Sequence, residues 1–555
     1  MGLWWLFPLS VAFAALAPPM LGIPLAVIGA FPFLIQWIVH YSGLLIGRRL
    51  VESSKSRRKF LLASTQREEE EYQETERVLP RGDEGEWVEV EGHSAGTAPN
   101  GQHLEDEWEG IIGFLHPFCN AGGGGERVLW AAIKATQKRW PKAICVVYTG
   151  DQDATKATIL ERVKHRFNII LHPPTVTFMY LDTRHWVLST TWPHFTLLGQ
   201  SLGSLIMAYD AFSLLVPDVF VDTMGYSFTL AFSKLCFPSI PTGAYVHYPT
   251  ISTDMLSSLD AETGKGVNAG SGKGLRGFAK RLYWKAYAYL YSQSGCEVDL
   301  VMTNSSWTQA HIQSLWGPKR KKRRKPHAVK VVFPPVAVEE IETAIDLEGP
   351  KAISREKALL YVAQFRPEKN HDLILRSFAK MVHSENSKNK KSSQLVLIGS
   401  VRDSVDQKMV YQLRLLAHEL KVQEHVQFIL DASWDEILNW LRKSWVGVNG
   451  MWNEHFGIGV VEYQAAGLIC VVNDSGGPKA DIVIDIGGDA TGYHASSESE
   501  YAAAFNKALS KSEEATLSMR KRARASSMRF TEEAFASRWT EQLGKLIEIQ
   551  CHPNK

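Results

Sequence analysis

Two glutamates stand eight positions apart in Asn453-Glu454-His455-Phe456-Gly457-Ile458-Gly459-Val460-Val461-Glu462. On a single helix, residues at this spacing would diverge by roughly 80°. We therefore expect Glu454 in a loop after a strand at 445–449, and Glu462 inside the helix that follows. The N-terminus of that helix then lies between the two carboxylates. Its free backbone N–H groups, at residues 456–458, are typical of a phosphate site.

Two series of strands alternate with helices around this segment. Apolar runs predict strands of the first series at 111–118, 143–148, 218–222, 243–247 and 300–303, and strands of the second series at 359–364, 395–398, 426–430, 445–449 and 469–473. Helices are predicted between them, for example at 126–137, 371–381 and 407–420. This alternation predicts an α/β protein with two doubly wound parallel sheets. Ligands bind beyond the carboxyl ends of such strands, so two facing domains form one cleft.

Domain boundaries follow from shifts in composition. Paired prolines in Phe333-Pro334-Pro335-Val336 interrupt the pattern. They divide a first Rossmann-like domain, 109–333, from a second, 334–530. The remaining residues, 531–555, are expected to form a helix that returns to the first domain.

The first 46 residues predict a membrane anchor, because residues 3–46 contain no Lys, Arg, Asp or Glu and about 20 apolar residues suffice to cross a bilayer. Pro18-Pro19 divides the segment into two passes or kinks one pass. The basic residues that follow place the rest of the chain on the cytosolic face. Residues 47–108 are polar and predict a flexible tether.

The charge balance argues against a nucleic-acid partner, since 61 basic residues face 59 acidic ones. A basic run at 319–325 is interpreted as a solvated loop or as a contact with anionic headgroups. Six cysteines lack CxxC spacing and predict reduced thiols without a zinc site.

A glycine-rich loop follows the first predicted strand, in Cys119-Asn120-Ala121-Gly122-Gly123-Gly124-Gly125-Glu126. Glycines let backbone amides approach an anionic group closely, which makes Gly123 and Gly124 candidate ligand-binding residues. A dinucleotide fingerprint would need a third glycine where Arg127 stands, so an NAD oxidoreductase is disfavoured. A turn without a ligand is the alternative.

Further candidates leave the ends of predicted strands. Arg366 and Lys369 follow the strand at 359–364 and supply two cations suited to phosphate groups, although a solvated turn is the alternative. His247 ends another strand and is expected in the cleft, with a structural histidine as the alternative. Asp151-Gln152-Asp153 has a metal-binding form, but it lies far in sequence from these groups. We therefore expect no metal.

The order of three motifs along the chain resembles that of a known protein family. These motifs are the glycine loop, the Arg-Lys turn and the spaced glutamates. Further similar segments are Gly123–Trp130, Tyr245–Leu256, Thr303–Thr308 and Ser475–Val483. The chain resembles the dolichol-linked oligosaccharide α-1,2-mannosyltransferases of asparagine-linked glycosylation, in glycosyltransferase family 4 with the GT-B fold. The resemblance is close over about 110–550 and loose over 1–46. It covers neither the polar tether nor the stretch around 262–274.

This resemblance implies a retaining enzyme that takes mannose from GDP-mannose. It would add the fourth and fifth mannoses to trimannosyl-chitobiosyl-diphosphodolichol on the cytosolic face of the endoplasmic reticulum membrane, without a cofactor. Other mannosyltransferases of the pathway are implied as partners. Two alternatives stay open: another lipid-linked GT-B glycosyltransferase, and a membrane-tethered binding subunit that has lost catalysis.

The resemblance also implies roles for the candidates. The first domain would bind the acceptor and the second GDP-mannose. Glu454 and His247 would meet the donor mannose, and Glu462 the ribose hydroxyls. The diphosphate would be held by Arg366, Lys369, Gly123, Gly124, Phe456, Gly457 and Ile458.

Overall fold

The computed structural model describes residues 19–78, 107–259, 274–348, 355–384 and 392–552. Two parallel sheets form the two domains. In the first domain the helices are α1 (Pro19–Val78), α2 (Gly124–Arg139), α3 (Lys156–Phe167), α4 (Thr196–Leu214), α5 (Ser227–Cys236), α6 (Thr253–Ser258), α7 (Gly274–Gly295) and α8 (Ser306–Lys322). Its strands are β1 (Ile111–Leu115), β2 (Ile144–Thr149), β3 (Val176–Tyr180), β4 (Val219–Asp222), β5 (Thr242–Val246), β6 (Leu300–Thr303) and β7 (Lys330–Val331).

The second domain continues the alternation and the chain then ends on a long helix. Its helices are α9 (Val338–Ala344), α10 (His371–His383), α11 (Ser404–Glu419), α12 (Trp434–Lys443), α13 (Ile458–Ala465), α14 (Glu498–Leu509) and α15 (Glu513–Ser527), followed by α16 (Glu532–Cys551). Its strands are β8 (Ala358–Val362), β9 (Gln394–Gly399), β10 (Val426–Leu430), β11 (Val446–Asn449), β12 (Ile469–Asn473) and β13 (Gly492–Ala495).

Strand order confirms two doubly wound Rossmann-like sheets. The first sheet runs β3-β2-β1-β4-β5-β6-β7 and the second β10-β9-β8-β11-β12-β13, with parallel pairing throughout. In each sheet the first strand along the chain lies in the middle, and successive connections then move outwards on either side. A crevice opens at that switch point, at the carboxyl ends of the strands. The glycine loop follows β1, and the Arg-Lys turn follows β8.

Three strands, β3, β7 and β13, were not predicted from the sequence. All three lie at the edges of the sheets, where hydrogen bonds to a single neighbour suffice. β7 has two residues, and β13 has the sequence Gly-Tyr-His-Ala, which is not an apolar run. Their positions are set by neighbouring strands more than by their own composition.

Both faces of the first sheet are covered. On one face α1, α4, α5 and α7 contribute to a core with Leu50, Met207, Leu230 and Tyr287. On the other face α2 packs together with α16, the last helix of the chain. Trp539 of α16 is fully buried there and donates a hydrogen bond from Nε1 to Thr136 Oγ1 at 3.0 Å. The first domain therefore completes its core with the C-terminal helix.

The prediction of a flexible tether at 47–108 is wrong for residues 47–78, which belong to α1. This part of the helix docks through a few specific contacts. A Cβ at Gly47 would lie 2.0 Å from the Cys236 carbonyl oxygen, Arg58 pairs with Asp218 at 2.6 Å, and Glu68 pairs with Lys156 at 2.5 Å. Composition missed these contacts because the partners come from elsewhere in the chain.

The remaining N-terminal predictions fall partly outside the described residues. Residues 1–18 of the predicted anchor and 79–106 of the predicted tether lie there. Within the described ranges, the structure contains no helix that is both long enough and apolar enough to span a bilayer.

Residues 319–322 of the basic run form the end of α8, and residues 323–325 form the turn that follows it. The buried Arg320 guanidinium donates to the carbonyl oxygens of Asp299 and His327, at 3.1 Å each. Lys325 pairs with the Asp299 carboxylate at 2.7 Å. Lys321 and Lys322 are exposed. Part of this basic run therefore contacts the rest of the first domain, and part of it is exposed to solvent.

His371 illustrates how burial, as the largest cause, shifts a pKa in this fold. It is fully buried between Tyr361 and Phe365, whose ring centroids lie 4.9 and 5.0 Å away. Burial lowers the pKa of His371 to about 4, so the folded protein holds this ring neutral.

We expect the thermal midpoint to fall on acidification from about pH 7 to pH 5, because unfolded histidine titrates near pH 6.5. The unfolded chain then binds protons that the folded His371 does not. His371→Phe should reduce this loss, whereas His165→Phe, at an exposed ring, should leave it unchanged. Calorimetry at several pH values measures both. An undiminished pH dependence in His371→Phe would contradict the assignment.

Candidate active site

A cavity of about 350 Å³ opens between the two domains at the carboxyl ends of both sheets. Both the glycine loop and the spaced-glutamate segment reach it. Its lining includes Gly124, Gly125, His247, Asn304, Lys369, Asn449, Glu454, Phe456, Gly457, Ile458 and Gly459. Several residues predicted from the sequence to form a site therefore meet in one cleft.

An ion pair lies in the wall of this cavity. Lys369 Nζ is 2.6 Å from Glu454 Oε2, and Asn449 Nδ2 donates to the same oxygen at 3.4 Å. Burial by itself raises the pKa of Glu454, but the charge of Lys369 outweighs it and the pKa lies below its usual range. Glu454 is therefore a carboxylate at neutral pH.

The N-terminus of α13 faces the same space. Gly457 caps the helix with φ +105°, a conformation that favours glycine. Phe456, Gly457 and Ile458 all line the cavity. The first domain approaches closely here, since a Cβ at Gly124 would lie 2.6 Å from Ile458 Cδ1. The two domains thus enclose the amides that the sequence assigned to a phosphate.

His247 lies opposite, at the end of β5. Its Nε2 atom is buried without a hydrogen-bond partner among the described residues, 3.7 Å from where a Cβ of Gly125 would stand. Burial and the neighbouring His116 lower the pKa of His247 to about 4. The imidazole is therefore neutral, and it is suited to hydrogen bonding with a ligand.

Three candidates lie outside the cavity lining given by the described residues: Gly123, Arg366 and Glu462. The Gly123 N–H donates to the Glu126 carboxylate at 2.5 Å. The nearest paired acid of Arg366 is Glu368, at 3.8 Å. Glu462 is on the second turn of α13, and burial raises its pKa.

The Asp-x-Asp segment has a structural role at its first aspartate. The Asp151 carboxylate pairs with the Arg184 guanidinium and accepts the Asn120 N–H at 2.9 Å. In the ranges that the structure describes, no group of three or more His, Cys, Asp or Glu side chains is arranged to hold a metal ion.

A contact between the domains positions the loop that carries Glu454. Asn453 has φ +54°, and its side-chain amide donates to Asp254 Oδ2 of the first domain at 2.6 Å. Asp254 also faces His311 Nε2 at 3.4 Å. Next to this contact the ring of His455 stacks on Tyr248, with centroids 4.0 Å apart. The conformation of the loop therefore depends on both domains.

Two glycines in the segment after β12 pack against the backbone of the same loop. Gly476 has φ +67°, and a Cβ there would lie 2.3 Å from the Glu454 carbonyl oxygen. The Gly477 N–H donates to that oxygen at 2.7 Å. Sequence reasoning assigned no role to Asp254, Asn453, Gly476 or Gly477. The Gly-Gly pair after β12 is a sequence feature typical of close backbone approach. The contact between Asp254 and Asn453 has no comparable feature in the sequence.

Solved structures share this arrangement. An E. coli trehalose-6-phosphate protein bound with UDP-2-fluoro glucose matches with a TM-score of 0.55 and 12% identity, covering 78% of this chain and 99% of that chain. The Anabaena protein HepE, in complex with UDP and glucose, matches with a TM-score of 0.51 and 14% identity, covering 79% and 100%. These similarities show the GT-B fold.

Sequence comparisons define the class and then the family. Residues 345–526 match the family Glycosyl transferases group 1, so the second domain is that of a group 1 glycosyltransferase. Residues 109–316 match the family described as ALG11 mannosyltransferase N-terminus.

Two curated relatives, both called GDP-Man:Man(3)GlcNAc(2)-PP-Dol alpha-1,2-mannosyltransferase, extend this match. The Neurospora crassa relative is 56% identical over 528 residues, covering 93% of this chain and 94% of its own length. The human relative is 43% identical over 456 residues, covering 81% and 89%. The chain belongs to the ALG11 family of mannosyltransferases.

We expect Gly476→Ala to reduce mannosyltransferase turnover by about 10²-fold, because it displaces the Glu454 loop by an ångström or more. Gly487→Ala is the matched control. Gly487 also has positive φ, +63°, but a Cβ there meets no atom within 4 Å. Both variants carry a backbone strain of about 1–2 kcal/mol.

The thermal midpoints of the two variants measure the strain that they share. A difference in turnover beyond it then reports the displacement of the Glu454 loop. Equal turnover in the two variants, at matched folded fractions, would show that contact with Gly476 does not set the position of Glu454.

Proposed function

We propose that this chain transfers mannose from GDP-mannose to a trimannosyl-chitobiosyl-diphosphodolichol acceptor in α-1,2 linkage. The observation that carries the proposal is the Lys369–Glu454 pair beside the N-terminus of α13, inside a cleft that both domains close. The names of the curated relatives supply the donor, the acceptor and the linkage. The cavity supplies groups that fit a sugar joined to a diphosphate.

The charges that develop on the sugar and on the leaving diphosphate during the reaction are opposite to those of the groups in the cleft. Breaking the bond between mannose C1 and the phosphate oxygen leaves positive charge on the sugar and negative charge on GDP. The Lys369 ammonium and the amides at the start of α13 stabilise the leaving diphosphate. The Glu454 carboxylate and the neutral His247 lie where they can contact the mannose ring.

The number of carboxylates bears on the stereochemistry. A retaining enzyme with a covalent intermediate needs a carboxylate nucleophile and a second group for acid–base chemistry. Glu454 is the one carboxylate among the described residues that line the cavity, and its pKa is lowered by Lys369. We infer attack on the same face from which GDP leaves, with the leaving phosphate accepting the proton of the acceptor hydroxyl.

Location follows from the acceptor. A dolichol chain requires a membrane, and the family's pathway belongs to the endoplasmic reticulum. We propose that residues 1–46 anchor the chain there and that both domains face the cytosol. The uncharged segment followed by basic residues supports this orientation.

The direct test is incubation of the purified chain with GDP-mannose and a synthetic trimannosyl-chitobiosyl diphosphate lipid. Mass spectrometry should detect two successive additions of mannose. Digestion with a linkage-specific α-1,2-mannosidase should remove both. Transfer from UDP-glucose in preference to GDP-mannose would overturn the proposal.

Glu454→Ala and Lys369→Ala should each lower turnover by about 10²-fold or more, because each removes charge that the transition state needs. Glu368→Ala is the control, since this carboxylate lies in the same turn as Lys369 but is 41% exposed and outside the cavity lining. Near-normal turnover in a folded Glu454→Ala protein would contradict the assigned site.

Glu462→Ala should raise the KM for GDP-mannose and change turnover little, because contacts to ribose hydroxyls are similar in the ground and transition states. Steady-state kinetics with the donor varied measures both parameters. A fall in turnover at unchanged KM would place Glu462 at the reacting centre instead.

A further inference from the structure

A carboxylate and an imidazole are buried together beside the glycine loop. Glu126, in the first turn of α2, is 9% exposed, and His116, just after β1, is fully buried. Glu126 Oε1 and His116 Nε2 lie 3.6 Å apart. Neither side chain is among the described residues that line the cavity, and the proposed reaction uses neither of them. Burying two such polar groups is unfavourable unless each has partners, and those partners connect both groups to the cavity wall.

The partner of Glu126 is the backbone of the glycine loop. The Gly123 N–H donates to Glu126 Oε2 at 2.5 Å, so this carboxylate caps the N-terminus of α2. The next two residues, Gly124 and Gly125, line the cavity. A Cβ at Gly125 would lie 3.7 Å from His247 Nε2. The position of the Glu126 carboxylate therefore determines where the two lining glycines stand in the cleft.

A second set of hydrogen bonds joins His116 to His247. His116 Nδ1 lies 2.8 Å from Thr223 Oγ1, and that hydroxyl donates to the Leu115 carbonyl oxygen at 3.2 Å. Since the hydroxyl hydrogen is used there, His116 Nδ1 is the donor to Thr223. The ring of His247 is in turn hydrogen-bonded to the backbone carbonyl of Thr223. The contacts therefore run from Glu126 through His116 and Thr223 to His247.

These contacts determine which hydrogen bond His247 can offer to a ligand. A carbonyl oxygen only accepts, so the ring nitrogen that meets Thr223 carries the hydrogen. That nitrogen is Nδ1, because Nε2 has no hydrogen-bond partner among the described residues. Burial, the largest cause, lowers the pKa of His247 to about 4, so the ring is neutral and Nε2 presents a lone pair. Nε2 can then accept a hydrogen bond from a sugar hydroxyl.

We propose that Glu126 is a positioning residue for mannose transfer, which holds the glycine loop and His247 in one arrangement. The inference rests on the proposed function and adds a residue that acts on the reaction without touching the substrates. The three loops that it connects follow β1, β4 and β5, which are neighbours in the first sheet. Lys369 and the N-terminus of α13 belong to the second domain and do not depend on these contacts. Glu126 should therefore affect turnover more than the binding of GDP.

Steady-state kinetics and GDP titration of the full chain test this proposal. Glu126→Ala removes the cap of Gly123 and the partner of His116, so turnover should fall about 10²-fold while the Kd of GDP changes less than about twofold. Glu126→Gln keeps an oxygen that accepts the Gly123 N–H, and it should recover about tenfold of that loss. A role in stability alone would lower the thermal midpoint and leave turnover per folded molecule unchanged.

Glu500→Ala is the matched control. Glu500 caps α14 in the same way, because its carboxylate accepts the N–H groups of Ser496 and Ser497 at 2.7 and 3.0 Å. It is exposed and belongs to the second domain. This variant should lose the stability of a helix cap and keep its turnover.

The connection to His247 is tested by the double variant Glu126→Ala/His247→Ala. If Glu126 acts partly through His247, the double variant should lose clearly less turnover than the product of the two single losses. Thr223→Val breaks the same connection in another way, since it keeps the shape of the buried side chain and removes the hydroxyl that meets His116. Its turnover should fall about fivefold, which keeps the proposal testable if Glu126→Ala folds poorly.

Three outcomes would overturn the proposal: near-normal turnover in folded Glu126→Ala or Thr223→Val protein, a loss that appears wholly as weaker GDP binding, and losses that multiply in full in the double variant. Transfer of mannose by the unaltered chain is measured alongside. Absence of that transfer would overturn the proposed function itself. A normal unaltered chain with insensitive variants would overturn only the role of Glu126.

Discussion

The pairing of Lys369 with Glu454 is the constraint around which the cleft is organised. A buried carboxylate is unfavourable unless an opposite charge and hydrogen bonds stabilise it, and removing one partner of such a pair typically costs about 3–5 kcal/mol. Here the two partners come from the loops after β8 and β11, which are neighbouring strands of one parallel sheet. Parallel pairing brings the carboxyl ends of these strands together, so the sheet itself places the two charges side by side.

The first domain adds a second layer of constraint. Asp254 holds Asn453 in a left-handed conformation, and Gly476 and Gly477 leave room for the backbone at Glu454. The loop that carries Glu454 therefore adopts this conformation only when the domains are close and the β12 loop is in place. In other enzymes, closure of two domains over a substrate is a common means of excluding water from the active site.

The sequence predicted those parts of the fold and of the site that are determined by residues close together in the chain. Strands buried on both faces, such as β1 and β12, have continuous apolar runs and were predicted within a few residues. The sequence also predicted that Glu454, Lys369 and His247 lie in one cleft, because each follows the end of a predicted strand. The helix at 47–78 was missed because its stabilising partners, such as Asp218, are distant in sequence. For the same reason, the Asp254–Asn453 hydrogen bond had no signature in either segment.

The place of α16 has a consequence for how the chain is made. Trp539, Leu543 and Leu546 belong to the core of the first domain, yet they are synthesised only after the whole second domain. Synthesis of the intervening second domain, roughly 200 residues, takes about 10–40 s at ordinary rates. Throughout that interval the first domain presents an unfilled apolar surface beside α2. The core of the first domain is completed only once α16 has been made, so a premature stop codon before α16 would leave that domain without the side chains that complete its core.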